Sequence, residues 1–324
     1  MNLKKGLRWI GLFSMLMVLL VVATGCTENI IILDPKGPIA AQQRDLMVIA
    51  TILVLIIIIP VLLLTVFIVW RYRDKKGSKA KYAPNWAHST SLELIWWSIP
   101  VVIIIILGAV TVKYTYALEP SKPIESEKEE LVIQVTSLDW KWLFQYPDQD
   151  IATINHIVIP EDVPVRFEIT ADGPMNSFWI PQLGGQMYAM SGMAMVLYLE
   201  ADESGNYWGS GANFTGRDFA KMYFDVKATS EEEFDKWVDE IKTSQPKLTQ
   251  DGYEQIRLPA ASEQMQFSAF PDQLFENTVN KYAASHRHHM AGSSSDSDKQ
   301  HDDQLNEQHE ASESNETDAT HSGH

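Results

Sequence analysis

Cysteine is almost missing from this sequence. Its single representative, Cys26, permits no internal disulfide and no metal centre that needs two thiolates. Basic side chains are short as well: 26 Lys and Arg stand against 42 Asp and Glu, a formal net charge of −16 over 324 residues. No basic face of the kind that grips phosphate backbones can be traced, which argues against nucleic-acid binding. Between residues 119 and 228 histidine is reduced to His156, which has no partner in sequence and reads as a polar residue satisfied on a strand edge rather than as a ligand.

What the chain does have is unevenly spread. Apolar residues make up 45% of it, concentrated before about Leu118, followed by an ordinary soluble composition and then a polar tail. Residues 1–25 carry Lys4, Lys5 and Arg8, an apolar run over 10–22, and the small residues Ala23-Thr24-Gly25 directly before Cys26, the organisation of a cleaved secretory signal. The Gly-Cys ending resembles a bacterial lipoprotein signal, which implies cleavage before Cys26 and acylation, for instance by palmitate, of that residue. After an outer segment over 26–46, two stretches meet the requirement of roughly 20 apolar residues for a spanning helix: 47–70, and a second from Ile95 to Val112, extended to about 116. Their prolines, Pro60 and Pro100, each free a backbone carbonyl and are tolerated where neighbouring helices pack. The loop over 71–94 opens with six basic residues against one acid in 71–81, which marks it as cytoplasmic and puts everything after Leu118 outside. Trp70, Tyr72, Trp86, Trp96 and Trp97 gather at that inner boundary, as interfacial aromatics do.

Within an outer domain over 119–228, residues 130–228 read as short strands between turn residues. Val165, Phe167 and Ile169 alternate with Arg166, Glu168 and Thr170, and 131–135, 195–200 and 222–226 have strand composition, which predicts an antiparallel sandwich or barrel. Trp140 and Trp142 read as core or subunit-contact aromatics, and Met175, Met187, Met190, Met193 and Met195 as packing filler. An arm over 229–285 is helix-prone: Ser230 caps an acidic first turn, Phe234, Trp237, Val238 and Ile241 recur at helical spacing, and Leu274, Phe275, Val279 and Tyr282 repeat the pattern. The tail, 286–324, is rich in Ser, Asp, Glu and His and is expected to be disordered. Its His286, His288, His289, His301, His309, His321 and His324 are too scattered for a preorganised metal site.

One stretch organises the rest: Tyr207-Trp208-Gly209-Ser210-Gly211-Ala212-Asn213-Phe214-Thr215-Gly216-Arg217-Asp218-Phe219-Ala220-Lys221-Met222. It resembles the loop of subunit II of haem-copper respiratory oxidases that reads Tyr-x-Gly-x-Cys-x-Glu-x-Cys-Gly-x-x-His-x-x-Met and holds the two-copper CuA centre. On that pattern the thiolate positions fall on Gly211 and Thr215, the carboxylate on Asn213, the imidazole on Phe219 and the thioether on Met222. The family's upstream histidine falls on Asn176, within Asn176-Ser177-Phe178-Trp179-Ile180-Pro181-Gln182-Leu183-Gly184-Gly185. Amides, a hydroxyl and a phenyl ring cannot replace thiolates and imidazoles, so the frame persists without its metal.

The resemblance implies a cupredoxin-like Greek-key domain behind a transmembrane hairpin, and a helical arm typical of quinol oxidase subunits. It implies a proton-pumping quinol oxidase of the aerobic chain in a bacterial plasma membrane, the outer domain on the outer face. The donor would be a quinol, menaquinol before ubiquinol, and not cytochrome c. Haems and CuB would lie in subunit I, with subunits III and IV as further partners, and no redox cofactor would sit on this chain. Glu93, at the start of the second helix, falls where the family has a glutamate near the mouth of a proton pathway into subunit I; the plainer alternative is an acid favoured by the helix dipole. The competing functional class is a free-standing, membrane-anchored copper-handling lipoprotein, which would need neither two proline-containing helices nor a partner surface.

Overall fold

A computed structural model of the chain describes residues 30–73 and 85–283. The signal, Cys26, most of the basic loop and the tail histidines lie outside the described residues. Helix α1 spans Pro38–Tyr72 and helix α2 Thr90–Ala117. Both are long and apolar enough to cross a membrane, and their side chains are exposed around nearly the whole circumference, the pattern of a helix that meets lipid or other helices rather than a water-facing side.

Helix α1 starts at Pro38, well before the apolar run at 47. Thirty-five residues rise about 52 Å at ~1.5 Å each, well beyond a hydrocarbon core of roughly 30 Å. The extra turns run from Pro38 to the polar Gln42–Asp45, and their first residues dock on the outer domain. Ala40 is buried there and its N–H donates to the Leu183 carbonyl (3.2 Å), while the Lys36 N–H donates to the Gln182 carbonyl (2.8 Å). At Gly37 a Cβ would lie 2.1 Å from the Glu200 carbonyl oxygen, so only glycine lets the chain pass this close.

The outer domain is a two-sheet Greek-key sandwich. Strands β1 (Leu131–Leu138), β2 (Lys141–Tyr146), β3 (Ile151–Ile154), β5 (Val165–Ala171), β8 (Met195–Leu199) and β11 (Met265–Phe267) form one sheet in the order β11-β3-β2-β1-β5-β8. Strands β4 (His156–Pro160), β6 (Asn176–Trp179), β7 (Met187–Ala189), β9 (Gly205–Gly211) and β10 (Tyr223–Thr229) form the other, in the order β4-β10-β9-β6-β7. β1 pairs with β5 and β4 with β10 in parallel, the crossings expected when a Greek key closes two sheets on one core. Trp142, Phe144, Phe167, Phe178 and Phe224 fill that core without solvent exposure.

The six-stranded sheet is buried on its second face too. Leu138, Leu143, Ala152 and Ile154 meet Leu248, Tyr253 and Leu274 of the arm in a second apolar cluster. Within the arm, α3 (Glu231–Ser244) is capped by Ser230, whose Oγ accepts from the Glu233 N–H, and it packs Phe234, Val238 and Ile241 into the main core. Helix α4 (Gln250–Ile256) is capped by Thr249, and 274–283 is again helical. Between the two helical stretches of this helix-prone arm lies a strand that the sequence reading did not include: β11 pairs antiparallel with β3, from Met265 opposite Ile154 to Phe267 opposite Ala152. Without it, β3 would leave a row of unpaired edge amides and carbonyls.

Two charged groups tie arm to sheet. Lys141 Nζ donates to the Ile256 and Leu258 carbonyls (2.6 and 2.8 Å) at the C-terminal end of α4, and burial lowers its pKa. Just beyond β5, the buried Asp172 carboxylate accepts from Tyr253 Oη, Lys281 Nζ and Tyr282 Oη, each at 2.7 Å. Burial opposes its ionisation, yet the three donors outweigh that and hold its carboxyl below the ordinary value of 3.8. A lowered acid of this kind stabilises fully above the unfolded-state pKa and loses its contribution as pH falls through the folded value. Asp172→Ala takes the carboxylate partner from the buried Tyr253 hydroxyl and from the more exposed Lys281 ammonium and Tyr282 hydroxyl, and should lower stability by about 1–3 kcal/mol in chemical denaturation at pH 7. A loss within ~0.5 kcal/mol would mean the arm docks by apolar contact alone.

Candidate functional site

The β9–β10 loop leaves the sandwich at Gly211 and returns at Met222, its base closed by the Gly211 N–H donating to the Met222 carbonyl at 2.9 Å. β6 lies beside it: Phe178 pairs with Gly211, and the Ala212 N–H donates to the Ser177 carbonyl at 2.9 Å. This register brings four of the six expected positions together.

Asn176 and Met222 are each 1% exposed, and Asn176 Nδ2 donates to Met222 Sδ at 2.8 Å. Asn176 Oδ1 accepts the Ser177 N–H at 2.8 Å, and Ser177 Oγ donates to Asn213 Oδ1 at 3.2 Å. A Cβ at Gly211 would lie 2.9 Å from both Nδ2 and Oδ1 of Asn176, so the amide fills the space into which a side chain at 211 would grow. Thr215 and Phe219 sit further out. Thr215 contributes its carbonyl to Trp140 Nε1 (3.2 Å), while its Oγ1 is buried with no partner among the described residues; the Phe219 ring packs edge-on against Phe214 at 5.7 Å.

The donor set does not fit a two-copper centre. Two amides, a bare glycine, a hydroxyl and a phenyl offer no thiolate or imidazole, and the one soft donor, Met222 sulfur, already accepts a hydrogen bond. Sequence reasoning missed Ser177, whose hydroxyl bridges to Asn213, and Arg217, whose guanidinium lies over the Trp140 ring at 5.7 Å. Neither carries a local signal, because each acts on a residue many positions away. Trp142 belongs to the sandwich core and Trp140 to the loop's flank at a positive φ of 62°.

The remaining candidates are separate. Glu93 stands in the first turn of α2, its N–H donating to the Ser89 carbonyl at 2.9 Å and its Oε1 3.6 Å from His88 Nδ1. Asp162, Glu200 and Asp202 bring carboxylate oxygens within 4.8 Å of one another near the start of α1, an oxygen-only group in which burial, then Asp202 and Asp162, raise the Glu200 pKa.

His156, at the start of β4, has Nε2 2.9 Å from Gln266 Nε2 and Nδ1 3.4 Å from the Ile154 carbonyl, with Trp237 edge-on at 6.2 Å. A neutral ring with the proton on Nδ1 satisfies both neighbours, so neither nitrogen is open to a metal. Burial pushes its pKa below the ordinary 6.5, against the opposing pull of the Ile154 carbonyl and Asp225.

Two families of sequence match the chain: "Cytochrome C oxidase subunit II, transmembrane domain" over residues 25–113 and "Cytochrome C oxidase subunit II, periplasmic domain" over 148–229. A "Cytochrome bo(3) ubiquinol oxidase subunit 2" of Pseudomonas putida is 44% identical over 299 residues, 90% of this chain and 93% of that protein. A "Quinol oxidase subunit 2" of Bacillus spizizenii is 45% identical over 255 residues, 78% of this chain and 79% of that protein. Among solved structures, the periplasmic domain of subunit II of cytochrome oxidase of Bradyrhizobium japonicum is 22% identical, covering 36% of this chain and 95% of that chain at a TM-score of 0.34.

The buried histidine yields a pH dependence. Because its folded pKa is depressed, the unfolded chain takes the proton first; the stabilising contribution is complete above about pH 6.5 and is lost as pH falls towards the folded value. The melting temperature of the detergent-solubilised full chain should therefore drop between about pH 7.5 and 5.5, and drop less in His156→Gln, which cannot titrate. An equal drop in both would show that His156 does not govern this range.

Proposed function

This chain belongs to the subunit II family of the haem-copper oxidases, as subunit II of a quinol oxidase, and from that premise we propose that its part in the complex is structural and free of copper. It is a membrane protein with two spanning helices and an outer domain. The single observation that carries the reading is the donor set at Asn176, Gly211, Asn213, Thr215 and Phe219, which offers copper neither sulfur nor imidazole.

Electrons then reach the complex from a quinol dissolved in the bilayer, at a site on subunit I, and pass to haems and CuB of that partner, where oxygen is reduced to water. Menaquinol is the donor we favour over ubiquinol, because an acidic tail on the exported side suits a cell surface without an outer membrane. Subunits III and IV complete the assembly. Cys26 is the acylated N-terminus left by signal cleavage, and the lipid positions the start of the chain at the outer leaflet rather than retaining it, since two spanning helices already do so. Glu93 takes protons from the cytoplasmic side at the edge of the bilayer, where an acid can exchange with bulk water. The free-standing copper carrier considered above does not accommodate relatives that are oxidase subunits over 78–90% of the chain.

The complex purified through this chain is expected to turn over a short-chain quinol analogue, with oxygen uptake as readout, and to leave reduced cytochrome c unoxidised. Turnover of cytochrome c at a rate within about tenfold of the quinol rate would reject the assignment.

A further inference from the structure

The structure assigns to Asn176 the cross-linking task that a metal ion would otherwise perform at the β9–β10 loop: its side-chain amide ties β6 to the end of the loop and occupies the space that Gly211 leaves open. The assignment concerns how the loop is held and stands whichever donor feeds the oxidase.

Three observations carry it. The Asn176 side chain is buried and both of its polar atoms are used, Nδ2 towards Met222 Sδ (2.8 Å) and Oδ1 towards the Ser177 N–H (2.8 Å). Met222 is the point where the loop rejoins the sheet, so this one amide connects β6 to the start of β10 across the mouth of the loop. Ser177, the next residue, extends the connection to the loop's first turn through Asn213 (3.2 Å). The loop between these points contains no regular element except the short 3₁₀ turn Phe219–Lys221, and it carries Phe214 at 81% exposure. A loop this open keeps one conformation only if something spans its base.

Gly211 is the other half of the device. A methyl at 211 would meet the Asn176 amide at 2.9 Å, closer than real Cβ contacts come, while the neighbouring backbone is fixed by the Gly211–Met222 and Ala212–Ser177 hydrogen bonds. The amide must therefore give way, and the bond to Met222 goes with it. Asn176 and Gly211 are a matched pair: glycine makes room, and asparagine turns the room into a cross-link. Met222, a ligand position in the copper-holding pattern, is retained here as a hydrogen-bond acceptor.

The test is amide hydrogen exchange on the full-length chain in detergent, read at Gly211, Ala212 and Met222, with the β1 amides as an internal control for global opening. Asn176→Ala and Gly211→Ala should each speed exchange at these three amides by about tenfold or more while β1 stays at its wild-type rate. On the Asn176→Ala background, adding Gly211→Ala should change nothing further, because the new methyl enters vacated space; independent effects would multiply to about a hundredfold. Met222→Leu, which removes the acceptor at similar volume, should give a smaller rise of about threefold and decides the matter if either alanine variant fails to fold. Wild-type exchange in Asn176→Ala, multiplication in the double variant, or an unchanged Met222→Leu loop would each overturn the assignment.

Discussion

Two phenyl rings set the geometry from which the rest follows. Phe178 of β6 and Phe224 of β10 lie 5.1 Å apart and 6° from parallel at the centre of the sandwich, with Trp142 edge-on to both. Burying such rings contributes on the order of 3–5 kcal/mol each, judged from what their removal costs in other cores. That packing holds β6 and β10 against the opposite sheet in one register. Asn176 stands two residues before Phe178 and Met222 two before Phe224, so the same stack that closes the core brings an amide and a thioether into contact at its rim. The architecture of a metal pocket is thus maintained by apolar packing that does not depend on any metal.

This explains how a domain can keep its fold while its chemistry is replaced. Site and scaffold are separable when the scaffold is held by a core of its own. Here the scaffold has acquired further support: the arm buries the second face of the six-stranded sheet, β11 covers the edge of β3, and Asp172 and Lys141 fasten α4 and the last helix to it. At the other end of the domain, Gly37 and Ala40 bring the first turns of α1 against Leu183 and Glu200, so the outer domain rides on the spanning helix rather than swinging from a linker. In the function proposed above, a firmly held cap of this kind is what the subunit contributes to the complex.

Much of this was legible in the residues. The spanning helices announced themselves by unbroken apolar runs, the sandwich by alternation such as Val165, Phe167 and Ile169, and the loop by a frame of glycines and aromatics whose donors had changed. Boundaries and partnerships were less visible. The early start of α1 at Pro38 escaped because Gln42 to Asp45 are polar and belong to the domain surface, not to the bilayer. β11 escaped because three residues carry too little periodicity and its reason for forming is the open edge of β3, more than a hundred positions away. The partners of Asp172 lie 81 to 110 positions from it, and the pairing of Asn176 with Met222 spans 46. Such contacts leave no spacing pattern in the chain; only the closed sheets bring them together.

The central claim, that electrons bypass this domain because its loop is held by an amide rather than by copper, is tested most directly by metal analysis of the intact oxidase. The ratio to measure is copper to haem in the complex purified through this chain. The expected result is about one copper per complex, that of the partner subunit's haem-copper site, with none lost when the outer domain is unfolded under mild denaturant. About three coppers per complex, two of them released with the outer domain, would contradict it.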